Sequence, residues 1–314
     1  MNIVKFKSCF AADFREFIEM KQRQGYSYTA ETYRLYYFDS FLADVKYFNQ
    51  VLTGSVFDDY RLFLKGHSLR TKLDYFSAAK RFSEYITVFQ PESYVPVILQ
   101  KTPKPKKAYI YCSGEIKKIL HGMQSCSKNP EISLRYYTMT GVLAFTGIRI
   151  KECLNLKLKH WNSSEKILYI KQGKFAKDRL IPVADSVAEK INSYIKVKYN
   201  SKTNGETPLF SSKYNKKLGR SSYAYRLNSQ LNRYNIKGGL LTRKPGIHSF
   251  RHTFAVNTIL KWKKENRNIN AMLPYLVTYM GHVGITSTEV YLQSVEEIIK
   301  ITANRFYKIF SRSI

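Results

Sequence analysis

The sequence predicts a mainly α-helical protein with one small β-hairpin or sheet. Apolar residues recur at helical spacing along most of its 314 residues. Residues 166–171 and 179–183 alternate instead like strands, and the glycine-containing stretch 173–178 joins them. Four prolines between residues 91 and 105 interrupt the helical pattern. We therefore predict two domains separated by a linker.

The first domain, residues 1–95, is predicted to contain four helices. Their expected bounds are 8–24, Thr29–Phe48, Val56–Leu64 and Ser68 to about Phe89. Ser68 can cap the fourth helix because its hydroxyl can accept a backbone N–H. We expect Leu69 to face inward, and aromatic residues such as Tyr33 to belong to the core rather than to a ligand site.

Residues 96–110 are predicted to form a basic linker. Lysines at 101, 104, 106 and 107 surround Pro103 and Pro105. Proline removes a backbone donor and restricts the residue before it, so this stretch is expected to be extended. It can lie along phosphates, or it can be a plain solvated connection.

The second domain, residues 111–314, combines helices with the predicted hairpin. Expected helices cover 113–123, 132–145, 148–156, 187–199, 221–235, 249–263, 269–280 and 286–293. A last amphipathic segment, Val295–Phe310, carries apolar residues along one side. We therefore predict an α+β second domain.

Charge gives the first indication of function. The net charge is +29, and it is uneven: residues 1–95 hold 13 Lys and Arg against 11 Asp and Glu, whereas residues 96–314 hold 39 against 12. Such an excess repels itself unless a polyanion neutralises it, which favours nucleic acid as the partner. The alternative is a basic surface of the ribosomal type or one that serves solubility.

Other classes of protein are disfavoured. No apolar run reaches 18 residues, the N-terminus lacks a secretory pattern, and the four cysteines form no CxxC pair. We therefore expect reduced thiols and a cytoplasmic, nucleoid-associated protein.

Two short stretches of the second domain carry single cations after glycines. In Thr146–Glu152, Arg149 follows a glycine turn at a helix start, where a guanidinium suits a phosphate. In the hairpin turn, Lys174 follows Gly173, and a lysine at such a tip can enter a DNA groove or reach a leaving oxygen.

Two further stretches contain histidines. His248 and Arg251 are three residues apart and so share one face of a helix start. His282 follows a glycine, and Tyr291 comes nine residues later on a short predicted helix. A zinc site formed by His248, His252 and His282 is an alternative. Because Arg251 lies among these histidines and would repel a cation, we predict no metal and no cofactor.

The candidate catalytic residues Arg149, Lys174, His248, Arg251, His282 and Tyr291 fit a phosphodiester reaction without metal. Two guanidiniums can stabilise the charged transition state. Tyr291 can attack once His248 helps to remove its proton, and Lys174 can protonate the leaving 5′ oxygen. The resulting phosphotyrosine conserves the energy of the broken bond, so rejoining needs no ATP.

These motifs, in this order, resemble the boxes of the tyrosine recombinase, or phage integrase, family. TGIR with Glu152, GK, HSFRHT, MGH and the tyrosine nine residues after that histidine match the family's active-site positions. The resemblance covers 96–314 well. It implies a four-helix, SAM-like core-binding domain before the catalytic domain, in a short two-domain form without an arm-binding domain.

The resemblance also implies how the protein works on DNA. The expected partner is double-stranded DNA with inverted repeats, bound by a C-shaped clamp. Four protomers, with or without partner recombinases, would exchange strands through a Holliday junction. Val295–Phe310 would dock on a neighbouring protomer, or else pack on its own domain. Two alternatives are a non-catalytic DNA-binding accessory protein of the same fold and a type IB topoisomerase.

Overall fold

A computed structural model describes most of the chain. The described residues are 5–98, 106–171, 178–200, 203–239, 242–281 and Val295. The chain divides into two compact units, Met1–Pro105 and Lys106–Ile314, at a boundary inside the predicted linker. Helices dominate the described ranges and are joined by one three-stranded sheet, which confirms the predicted fold class. No helix within those ranges is long and apolar enough to cross a membrane.

The first unit is built on an aromatic core between four helices. They are α1 (Ala11–Arg23), α2 (Thr29–Asp44), α3 (Gly54–Phe63) and α4 (Leu69–Ile86). Phe14 of α1 stacks on Phe82 of α4 with ring centroids 3.8 Å apart. Ser68 caps α4 as predicted, since its hydroxyl accepts from the backbone N–H of Thr71 at 3.2 Å.

Two expectations for this unit were wrong. Leu69 is 40% exposed and Tyr33 is 57% exposed. Leu69 is the first residue of α4, and the buried stripe begins one turn later, at Leu73. On α2 the buried face includes Leu35 and Phe38, and Tyr33 lies on the opposite face. Periodicity gives the direction of a helix face but not where the neighbouring helix stops covering it.

The second unit is organised around a buried central helix. Its helices are α5 (Ser113–Gln124), α6 (Pro130–Thr146), α7 (Ile150–Asn155), α8 (Asp185–Lys198), α9 (Arg220–Arg233), α10 (Ile247–Lys264) and α11 (Ile269–Met280). Helix α6 is buried along most of its length and packs against α5, α8 and α10. It ends at Gly147 in the left-handed conformation, φ 63°, as the Thr146-Gly147 pair predicted.

The sheet of the second unit is antiparallel, in the order β1-β2-β3. Its strands are β1 (Trp161–Asn162), β2 (Ile167–Ile170) and β3 (Arg179–Pro182). The predicted β2–β3 hairpin is therefore confirmed, whereas β1 is too short to leave a recognisable alternation. Ile170 pairs with Arg179, so Arg179 stands at the end of the hairpin from which the connecting loop leaves. The tip, residues 172–177, lies outside the described residues.

The last described elements are α10 and α11. Helix α10 begins two residues before its predicted start, which places His248 inside the helix. Helix α11 ends at Gly281 in the left-handed conformation, φ 63°. Val295 is buried in the apolar cluster formed by these two helices. The predicted helix 286–293 and the rest of 295–310 lie outside the described residues.

Candidate active site

The structure describes three of the six predicted catalytic residues. Arg149 is the N-cap of α7, and His248 and Arg251 lie in the first turns of α10. Lys174, His282 and Tyr291 fall outside the described residues. Gly281, the residue before His282, is described, and so is Asp178, four residues after Lys174.

Arg251 is a buried arginine that joins two helix ends. Its side chain donates from Nη1 to the carbonyl oxygen of Gly147 at 2.8 Å, and from Nη2 to that of Met280 at 2.5 Å. Gly147 ends α6 and Met280 ends α11, so both acceptors belong to helix C-termini, which carry partial negative charge. Only 2% of Arg251 is exposed. The contacts fix a positive charge in the interior of the site.

Arg149 reaches the same place from the other side. Its Nη2 donates to the carbonyl oxygen of Gly281 at 2.9 Å, and its Nη1 donates to Glu152 Oε1 at 2.9 Å. The backbone N–H of Arg149 donates to the other oxygen of Glu152 at 2.7 Å. Its side chain is 23% exposed, so this guanidinium, unlike that of Arg251, keeps a side open to solvent.

The two predicted arginines thus converge on consecutive peptide carbonyls, those of Met280 and Gly281. Gly281 is the residue before His282 in the chain. A Cβ on Gly281 would come within 2.8 Å of Arg179 Nη1 and 3.5 Å of Arg149 Nη1. Glycine at this position therefore permits both the left-handed turn and the close approach of the guanidiniums.

Sequence reasoning assigned no role to Arg179, which belongs to this cluster. Arg179 Nη2 donates to Glu152 Oε2 at 2.7 Å, and both side chains are less than a tenth exposed. Although burial raises the pKa of the Glu152 carboxyl, hydrogen bonds from Arg179 and Arg149 outweigh it, and the net shift is downward. The sequence signal that could have identified Arg179 was a charged residue at the first position of a predicted strand, and this signal is weak.

His248 lies beside these cations. Its ring keeps contact with solvent, yet the surrounding protein removes enough water to lower the pKa of the imidazole, and the charges of Arg251 and Arg149 lower it further. A neutral imidazole can accept a proton. The ring of His252 stands 4.5 Å away, centroid to centroid, in an edge-to-face arrangement. The third histidine of the alternative zinc site, His282, is outside the described residues.

Tyr279 is a described tyrosine close to the same cluster. It stacks on Phe254 with ring centroids 5.5 Å apart. Burial raises its pKa to about 12, against the opposing charges of Arg179 and Arg251. A phenol that holds its proton this firmly is a poor nucleophile, and Tyr279 therefore serves as a natural comparison for Tyr291.

Comparison with known proteins identifies the family. Residues 113–297 match the phage integrase family. The tyrosine recombinase XerD of Chlamydia pneumoniae is 30% identical over 219 residues, which span 68% of this chain and 67% of that protein.

Two solved structures share the fold. The Tn1549 transposon integrase in complex with transposon right end DNA aligns with a TM-score of 0.64 at 17% identity, covering 94% of this chain and 99% of that one. The XerH site-specific recombinase bound to difH substrate aligns with a TM-score of 0.61 at 20% identity, covering 88% and 79%.

The family match spans more than half of the chain and includes α7, which follows Arg149, and the described part of α10 and α11. The match agrees with the family that the order of the motifs resembles. The chain belongs to the phage integrase family of tyrosine recombinases and is a site-specific DNA recombinase.

Proposed function

We propose that this recombinase cleaves and rejoins DNA strands through a 3′-phosphotyrosine formed by Tyr291, without a metal ion or ATP. The observation that supports this most is the convergence of Arg149 and Arg251 on the carbonyls of Met280 and Gly281. The guanidinium groups of Arg149 and Arg251, held close to Gly281, provide the positive charge that a phosphoryl transfer needs.

The reaction balances with the residues of the chain. The phenolic oxygen of Tyr291 attacks the phosphorus and forms a P–O bond, while the bond from phosphorus to the 5′ oxygen breaks. The phenolic proton passes to His248, and Lys174 gives a proton to the leaving 5′ oxygen. Rejoining is the reverse reaction with a 5′ hydroxyl of another strand.

The two arginines have different parts in this scheme. Arg149 has five N–H donors, of which its described side-chain bonds use two, and its exposed side can meet the non-bridging oxygens of the phosphate. Arg251 is buried and held by two carbonyls, so it contributes a fixed positive charge that needs no reorganisation during the reaction. His282 completes the set beside Gly281.

The assembly is proposed from the relatives. Solved relatives are a recombinase bound to its DNA substrate before cleavage and an integrase bound to transposon end DNA. We propose that four copies of this chain act on two duplexes with inverted repeats and pass through a Holliday junction. Whether the outcome is integration, transposition, inversion or dimer resolution depends on the DNA substrate.

A covalent adduct is the direct test. The full chain is incubated with nicked duplexes that tile the DNA flanking its gene, and protein-linked strands are separated by denaturing electrophoresis. We expect an adduct with the wild-type protein, none with Tyr291→Phe, and an adduct with Tyr279→Phe, which removes the phenol at the end of α11. DNA binding by Tyr291→Phe should stay within about tenfold, since at most one hydrogen bond is lost.

Other outcomes would overturn the proposal. Equal adduct yield from Tyr291→Phe would exclude Tyr291 as the nucleophile. Binding without any adduct would favour a DNA-binding accessory protein. Relaxation of plasmids that lack a specific site, by monomers, would favour a type IB topoisomerase. Loss of the adduct in EDTA and its recovery with zinc would establish the metal alternative.

A further inference from the structure

Three charged side chains form a row at the loop end of the β2–β3 hairpin. Glu152 lies in the middle, with Oε1 bonded to Arg149 Nη1 at 2.9 Å and Oε2 bonded to Arg179 Nη2 at 2.7 Å. Side-chain exposure is 23% for Arg149, 7% for Glu152 and 9% for Arg179. We call these three residues the Arg-Glu-Arg row.

We propose that Arg179 is a positioning residue that acts through Glu152 to hold Arg149 in place and keep its charge available to the phosphate. This inference rests on the proposed function, because Arg149 is taken as the guanidinium that meets the phosphate. It adds a residue of β3 to the machinery of strand cleavage.

The position of Arg179 explains why it is suited to this part. It is the first residue of β3 and pairs with Ile170 across the hairpin. Its guanidinium also lies against the turn that ends α11, since a Cβ on Gly281 would be 2.8 Å from Nη1 and 3.1 Å from Cζ. Arg179 therefore bonds to the carboxylate that holds Arg149 and lies close to Gly281, the residue before His282.

Charge balance supplies the mechanism. A single carboxylate facing a single guanidinium would neutralise it, and a neutralised Arg149 would attract a phosphate weakly. In the Arg-Glu-Arg row, Glu152 divides its charge between two arginines, and the row keeps a net charge of about +1 when the carboxylate is ionised. The same division fixes both oxygens of Glu152, so that Arg149 is held in one orientation.

The rate of cleavage tests the proposal. The substrate is the nicked duplex identified in the adduct experiment, which releases its short 5′ fragment so that cleavage cannot reverse. For Arg179→Met we expect the single-turnover adduct rate to fall about 10²-fold, as for a reacting group displaced by about 1 Å. We expect the Kd for DNA to stay within about twofold, since a side chain less than a tenth exposed makes little contact with DNA.

The chain offers a matched control. Arg135 is also a buried arginine of the second unit, with Nη1 at 2.6 Å from the carbonyl oxygen of Ser211 and 3.6 Å from Glu131. Arg135→Met should lower stability without changing the adduct rate of the bound protein. An equal loss of rate in both variants would reduce the role of Arg179 to general stability and overturn the proposal.

A double-variant cycle tests whether Arg179 acts through Glu152. In a Glu152→Gln background, adding Arg179→Met should change the rate by no more than about twofold, because the intermediary is already altered. Full multiplication of the two single effects would mean that Arg179 acts independently of Glu152, which contradicts the proposal.

A substrate with a different leaving group shows whether Arg179 acts on Arg149 or on Lys174 of the hairpin. A duplex with sulfur in place of the bridging 5′ oxygen releases a thiolate, which needs no proton. Lys174→Met should recover on this duplex, whereas Arg179→Met should remain slow because its defect is in charge stabilisation. Recovery of Arg179→Met would mean that Arg179 positions Lys174 instead of Arg149.

A conservative variant completes the test. Arg179→Lys keeps a cation for Glu152 and should be at least about tenfold faster than Arg179→Met, since one charge partner is typically worth 10²-fold or more in rate. If Arg179→Met does not fold, Arg179→Gln replaces it with the same expected loss. Normal rates in Arg179→Gln would overturn the inference while leaving the Tyr291-dependent adduct, and with it the proposed function, intact.

Discussion

Arg251 donates from Nη2 to the backbone carbonyl oxygen of Met280 at 2.5 Å, although 29 residues separate them in the chain. The bond ties the helix that carries His248 to the end of α11, one residue before the Gly281 that accepts from Arg149. The candidate active site is therefore organised around the C-terminal turn of α11.

Replacing Arg251 with lysine tests the two hydrogen bonds that its buried guanidinium donates. A lysine has one nitrogen and cannot hold the carbonyls of Gly147 and Met280 together in the same geometry. We expect the adduct rate on the nicked duplex to fall about 10²- to 10³-fold. Arg226→Lys is the control, because Arg226 also donates to a carbonyl, that of Cys126, at 2.7 Å. A comparable loss in the control would show that the effect is structural only.

Gly147 should be essential for stability. Its φ is 63°, and a Cβ would lie 2.5 Å from Cδ1 of Phe254. We expect Gly147→Ala to lower the free energy of unfolding by about 2–4 kcal/mol, from left-handed strain together with overpacking. Gly141→Ala is the control, since it lies in the same helix with nothing within 4 Å of the added methyl. Urea unfolding should show Gly141→Ala to be neutral or more stable, and equal losses in both variants would refute the steric explanation.

The pH dependence of cleavage should report His248. A general base must be neutral, and removal from water together with the charges of Arg251 and Arg149 lowers the pKa of this imidazole below its ordinary value of about 6.5. The adduct rate should therefore persist below that pH and fall only on further acidification. The charge of Arg243 contributes to the same lowering of the pKa. Arg243→Gln should raise the pKa and move the acid limb to higher pH.

The control for that experiment is Arg233→Gln. Arg233 lies on α9, where its guanidinium is 5.5 Å from the ring of Tyr234, and the charges that lower the pKa of His248 most are those of other arginines. The acid limb of the pH–rate profile of Arg233→Gln should coincide with that of the wild-type protein. An acid limb unchanged in Arg243→Gln, or absent altogether, would exclude His248 as the base.

Salt should weaken DNA binding steeply. Lys171 and Lys217 line a cleft with His160, beside the hairpin. If both contact phosphates, Lys171→Gln with Lys217→Gln should reduce the slope of log K against log salt by about 1.8, or about 0.9 for each phosphate. Lys166→Gln is the control, because Lys166 already pairs with Asp185 at 2.8 Å. Fluorescence anisotropy at several salt concentrations measures the slopes, and equal slopes in all variants would exclude the cleft from the interface.

The C-terminal segment is proposed to link assembly to cleavage. Val295 is 3% exposed in the cluster of α10 and α11, so the segment starts from a point anchored on its own domain. We expect a chain that ends after Val295 to bind DNA but to lose tetramer formation and strand exchange. Light scattering on the DNA complex and recombination of two duplexes measure these properties. Normal, regulated strand exchange by the shortened chain would remove the hypothesis.

The sequence determined the local elements and the identity of several site residues. Helix α11 was predicted with its observed bounds, because apolar spacing, Asn268 before it and Gly281 after it are local signals. The Gly147 turn and the β2–β3 hairpin were likewise readable from short-range patterns. Arg149, His248 and Arg251 were selected because their residue types and order matched one chemistry.

Only the tertiary structure decided which groups meet. Arg149 and Gly281 are 132 residues apart, and nothing in the sequence around either one specifies that they are bonded. Arg179 appeared as an ordinary strand residue until β3 brought it to Glu152, 27 residues away. The physical reason is that periodicity and turn residues act over a few positions, whereas hydrogen bonds between distant side chains depend on how the helices and the sheet pack.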